Sequence, residues 1–69
     1  MKTGRCTYWS ERAFGWIRPD DRSADVFVHI TGLVDGLTEL KVGQRVSFSI
    51  VEDKRTFKPK AIDVRVLAS

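Results

Sequence analysis

Phe14, Trp16, Phe27 and His29 take alternate positions in two short runs, Ala13-Phe14-Gly15-Trp16-Ile17 and Val26-Phe27-Val28-His29-Ile30. Side chains alternate faces along a strand. Each run as a strand would therefore carry rings on one side and small or aliphatic residues on the other. A small domain has one core, so only one face of each run can enter it. Burying the rings would expose Ala13, Gly15, Ile17, Val26 and Val28 on two strands at once. The better assignment buries the aliphatic residues and leaves the rings outside. An exposed aromatic cluster on a basic chain suits unpaired nucleic acid, because every base has a face to stack. His29 belongs to that cluster; when neutral it can also donate and accept one hydrogen bond each.

Other chemistries lack their residues. One cysteine, Cys6, and one histidine do not make a metal-ligand set. The nine acidic residues lie scattered among turns and strand ends, and no glycine loop with a lysine is present to cradle phosphate. No catalytic residue, metal, cofactor or small-molecule substrate is expected. Cys6 reads as a core residue of the first strand, with nothing nearby in sequence to lower its pKa.

The elements that must hold the rings are short. We read strands at Gly4 to Ser10, Phe14 to Pro19, Asp25 to Ile30, Arg45 to Ile50, and a last run around Ala61 to Val66. Glu11-Arg12-Ala13 is short enough for a hairpin, and Pro19-Asp20-Asp21-Arg22-Ser23 is a turn cluster. In the fourth run Val46, Phe48 and Ile50 should point inward, and Arg45, Ser47 and Ser49 outward. In the fifth, Ala61, Asp63 and Arg65 oppose Ile62, Val64 and Val66. Residues 31 to 44 contain three glycines and lose alternation, which predicts an ordered loop with at most one helical turn. Tyr8 and Trp9 are adjacent, so strict alternation exposes only one, and Trp9 is in phase with Thr7. Phe57 could cap the barrel or touch a ligand. Lys54-Arg55 reads as a solvated loop.

Five short strands with tight links except between the third and fourth suggest an all-β closed sheet, which also removes exposed edges. A five-stranded barrel of the oligonucleotide-binding type fits best, as one domain spanning residues 1–69. Its formal charge of +3 and pI of about 9.4 permit a polyanionic partner without requiring one. A single cysteine suits a reducing compartment. No apolar stretch nears the roughly 18 residues of a membrane span, and the strand pattern starts too early for a signal peptide. The expectation is a complete cytoplasmic chain without membrane association.

Taken together, the motifs resemble the cold-shock domain family over almost the full length. The family's K-G-F-G-F-I is matched by Arg12-Ala13-Phe14-Gly15-Trp16-Ile17, and its V-F-V-H stands intact as Val26-Phe27-Val28-His29 after Asp25. The Pro19-Asp20-Asp21 turn, Val42-Gly43-Gln44-Arg45-Val46-Ser47-Phe48 and Pro59-Lys60-Ala61 follow in order. The resemblance implies a five-stranded antiparallel OB-fold barrel that binds single-stranded RNA, and DNA, without catalysis and as a monomer. It implies binding positions at Thr7, Tyr8, Trp9 and Ser10 of the first strand, which bends so that both rings reach the surface. Arg12 would contact phosphate, and Phe14, Trp16, Phe27 and His29 would stack. Asp25 would accept hydrogen bonds from base edges, Ile30 stands where another aromatic is common, and Lys58 and Lys60 map more loosely.

Thr7 in place of lysine removes one phosphate contact, and Ile30 and Leu37 in place of aromatics should narrow the platform to about three or four bases, since each stacked base is worth roughly 1–3 kcal/mol. Trp16 for phenylalanine enlarges its centre. By resemblance the function is that of an RNA chaperone acting on translation or transcription termination. The competing expectation is a barrel that docks a partner protein through the aromatic patch.

Overall fold

The computed structural model describes residues 2–67. It contains β1 (Lys2–Ser10), β2 (Phe14–Pro19), β3 (Val26–His29), β4 (Arg45–Glu52) and β5 (Pro59–Val66), with a short 3-10 turn at Ile30–Gly32. The strands close into a barrel in the order β1-β2-β3-β5-β4. Five strands in a ring cannot alternate direction throughout. One junction must be parallel, and it is β3 with β5, through Phe27 opposite Lys60 and Val28 opposite Ala61. The other four junctions are antiparallel, which gives the expected five-stranded OB-fold barrel.

Cys6, Ile17, Val26, Val28, Leu40, Val46, Phe48, Ala61 and Val64 fill the interior, with Trp9 and Leu33 packed against them. Burial pushes the Cys6 thiol pKa up, and its Sγ donates to the Tyr8 carbonyl at 3.3 Å. The connection from β3 to β4 begins with the expected helical turn. It then spends Leu33 and Leu40 on packing, not on a longer helix.

Alternation fails where strands bulge. Ser47 is buried (8% exposed) and Ile50 is at the surface (36%), the reverse of the expected phase. β1 covers β4 only as far as Phe48, opposite Lys2, and beyond it β4 pairs with β5 alone. The β4–β5 register slips between Ser47 and Ser49, opposite Asp63, which has a left-handed φ of 51°. That extra residue on β5 brings Ala61 and Val64 into the same core, although strict alternation opposes them.

The turn after β2 is tied back to β1. The Thr3 hydroxyl donates to Asp20 at 2.7 Å, the Asp20 amide donates to the Thr3 carbonyl at 2.9 Å, and Lys2 Nζ reaches Asp21 at 2.8 Å. Hydrogen bonds from Lys2 and then from Ser23 hold the Asp21 carboxyl well below the usual carboxylate range.

Candidate nucleic-acid interface

β2 and β3 pair without a bulge, so their outward residues line up in rows. Phe14 lies opposite His29 and Trp16 opposite Phe27, while Gly15, Ile17, Val26 and Val28 turn inward and are buried. The rings touch. Phe27 is 5.9 Å from Phe14 in a stacked arrangement and 5.6 Å from Trp16 edge-on, and Tyr8 is 6.3 Å from Phe14. Trp16 remains 40% exposed and Tyr8 48%. A stacking surface needs that combination: rings braced by each other at their edges with a face left wet.

On β1 the pairing jumps from Cys6 opposite Ile17 to Tyr8 opposite Trp16, leaving Thr7 as a bulge. Its hydroxyl makes a long 3.4 Å contact to the Trp16 carbonyl. The bulge resets the phase, so Tyr8 joins the outer row. Trp9, which alternation alone placed outside, is half-buried against the core opposite Gly15. Ser10 lies opposite Phe14 and extends the row containing His29.

The hairpin loop Glu11-Arg12-Ala13 places Arg12 in solvent beside these rows and puts Ala13 at φ 72°. In a three-residue hairpin loop the last position is left-handed and favours glycine. Ala13→Gly should stabilise the fold by about 0.5–1 kcal/mol, the strain relieved less the added chain entropy. Urea unfolding of the two proteins measures this; a destabilised glycine variant would contradict it.

The β3–β5 junction brings Lys60 beside Phe27. Phe27 and Lys60 line two adjoining grooves. One, of about 510 Å³, is shared with His29, Thr31, Asp53 and Arg55, and the other, of about 240 Å³, with Trp16, Asp53, Thr56 and Lys58. The backbone N–H of Thr31 donates to His29 Nδ1 at 3.2 Å, which leaves the neutral ring's proton on Nε2 as a donor. Asp25 is exposed, and its carboxylate lies 3.6 Å from Arg18 Nε. Ile30 is half-buried in the 3-10 turn, where its amide bonds to the Ala13 carbonyl at 2.9 Å.

The structure thus assembles Tyr8, Ser10, Phe14, Trp16, Phe27, His29 and Lys60 in adjoining rows, with Lys58 lining one groove and Arg12 on the flanking loop. Thr7, Trp9 and Ile30 stand behind or beside the rings. Arg55, read from sequence as a solvated loop residue, lines the groove next to His29. Phe57 is 77% exposed and so does not cap the core.

Among the described residues no helix is long and apolar enough to cross a membrane, and no cluster of three metal-ligating side chains occurs. Residues 2–67 match the family model described as "'Cold-shock' DNA-binding domain". The chain is 46% identical over 63 residues to the "Probable cold shock protein y4cH" of Sinorhizobium fredii, covering 88% of this chain and 91% of that one. It is 40% identical over 67 residues to the cold shock protein CspA of Rhizobium meliloti, covering 94% and 97%. Among solved structures, the chain "drosophila Unr CSD456" superposes with a TM-score of 0.78 at 25% identity, covering 97% of this chain and 26% of that longer one. The rows of rings, the closed five-stranded barrel and a match spanning nearly every residue place this chain in the cold-shock domain family.

Proposed function

We propose that this protein binds single-stranded RNA, and single-stranded DNA, by stacking bases on Tyr8, Phe14, Trp16, Phe27 and His29. One observation carries the reading: on β2 and β3 the aliphatic phase is sealed in the core while the aromatic phase remains wet, braced ring against ring. Arg12, Lys58, Lys60 and Arg55 supply cations around the rings. Stacking tolerates sequence, so discrimination among bases is modest. A protein that holds only unpaired strands draws RNA hairpins toward the open form by mass action. The function we assign is accordingly a non-enzymatic RNA chaperone in the cytoplasm, acting on translation or transcription termination.

Titrating tryptophan fluorescence with heptanucleotides of each base tests this. Emission should be strongly quenched, mainly through exposed Trp16 and less through half-buried Trp9. Log affinity should fall against log salt with a slope of about −0.7 per phosphate contacted. Unquenched emission with every oligomer, or an affinity indifferent to salt, would instead favour a surface that docks a partner protein.

A further inference from the structure

We propose that Arg5, Arg18 and Arg45, with Arg22 beside them, form a phosphate track that continues the aromatic shelf. The inference rests on the single-strand reading above and extends it: the bound strand runs on past Trp16 and Tyr8 over cations that hold its backbone without reading its bases.

The strand register carries the argument. Arg5 lies directly opposite Arg18 on one side and Arg45 on the other, so three guanidinium side chains form one row across β2, β1 and β4. All three are exposed. On β2 this row is the next outward position after Trp16, about 7 Å along the strand. On β1, Arg5 and Tyr8 are three residues apart and would face opposite ways in a regular strand. The bulge at Thr7 puts both outside. The two aromatic rows and the arginine row are thus successive rows of one surface.

Like charges placed directly opposite on neighbouring strands destabilise a sheet. Here they are offset only in part. Asp25 lies near Arg18, and Asp20 accepts a 2.7 Å bond from Arg45. Arg5, at the centre, and Arg22 have no carboxylate partner among the described residues. Four arginines therefore face two carboxylates. Arg5, Arg18 and Arg22 also line an open groove with Thr7 and Asp20 that leads along the surface. Guanidinium forks match phosphate geometry in pairs of parallel hydrogen bonds. The row holds no ring, so nothing in it would select a base. A polyanion laid there relieves the repulsion that the free protein carries.

The test uses the intact protein and two kinds of ligand: a four-pyrimidine oligonucleotide, and the same four bases extended at either end by three abasic phosphodiester units. Extension at one end should tighten binding about fivefold at low salt. That gain should vanish near 1 M salt, where screening reaches about 3 Å. Arg5→Gln should keep the affinity for the four-base ligand, lose most of the gain from extension, and melt no lower than the wild type. The track is overturned if the wild type binds four bases but gains nothing from abasic extension at either end. It is equally overturned if Arg5→Gln binds the extended ligand as the wild type does. Failure of the wild type to bind either ligand would bring down the stacking reading together with the track.

Discussion

Phe27→Ala is expected to weaken single-stranded RNA binding by about 2 kcal/mol, or roughly 30-fold, within the range for removal of one stacking ring. Phe27 is the ring that contacts both Phe14, at 5.9 Å, and Trp16, at 5.6 Å, and it borders both grooves with Lys60. Its removal takes away a platform and also frees the two neighbouring rings to tilt. Stability should suffer much less. Phe27 is only half-buried, and the inward residues of β3, Val26 and Val28, hold the strand in the core. A loss of about 1 kcal/mol, lowering the melting temperature by about 4–8 °C, is the expectation. Phe27→Leu separates the two roles: it restores apolar volume, and hence stability, but offers no flat face, so affinity should stay low. Oligonucleotide titration of folded Phe27→Ala showing wild-type affinity would contradict the stacking surface.

What could be read before folding followed the regularity of each strand. β2 and β3 contain no bulge, and their alternation predicted the wet and dry faces residue by residue, from Phe14 and Trp16 outside to Ile17 and Val28 inside. β1 and β5 each carry one extra residue, at Thr7 and near Asp63, and every assignment based on phase slipped beyond it. Hence Trp9 was expected outside and packs inside, and Ala61 and Val64 were opposed yet share the core. Neither threonine nor aspartate marks a bulge by its chemistry. Ile50 failed for another reason: β4 outruns the cover of β1, a length mismatch visible only once the strands are paired. Lys60 beside Phe27, Arg55 beside His29 and the row of three arginines all depend on contacts between distant segments. Local patterning carries no such information.

Gly15→Ala should be far more damaging than its single methyl suggests. Gly15 takes the inward phase between Phe14 and Trp16, directly opposite Trp9. A Cβ there would lie 2.2 Å from the Tyr8 carbonyl oxygen, 2.7 Å from Trp9 Cε3 and 3.2 Å from Trp9 Cα. Two of these atoms belong to the backbone of a paired strand and cannot swing aside as a flexible side chain can. Either β1 and β2 part, breaking their ladder, or the Trp9 ring is driven from the core. Overpacking of this severity costs about 3 kcal/mol or more, against a total stability of roughly 3–10 kcal/mol for a chain of this size. The melting temperature should fall by about 12–24 °C. Gly36→Ala is the matched control. Gly36 has φ 76° with nothing within 4 Å of a new Cβ, so only the left-handed penalty of about 1 kcal/mol applies. Because the same Cβ would displace the strand that carries Phe14 and Trp16, the folded fraction of Gly15→Ala should also bind RNA more weakly, whereas Gly36→Ala should bind as the wild type does. Equal melting temperatures for the two alanine variants would mean that β1 and β2 can separate at Trp9 without penalty, and the shelf would then lack the rigid backing that keeps its rings in place.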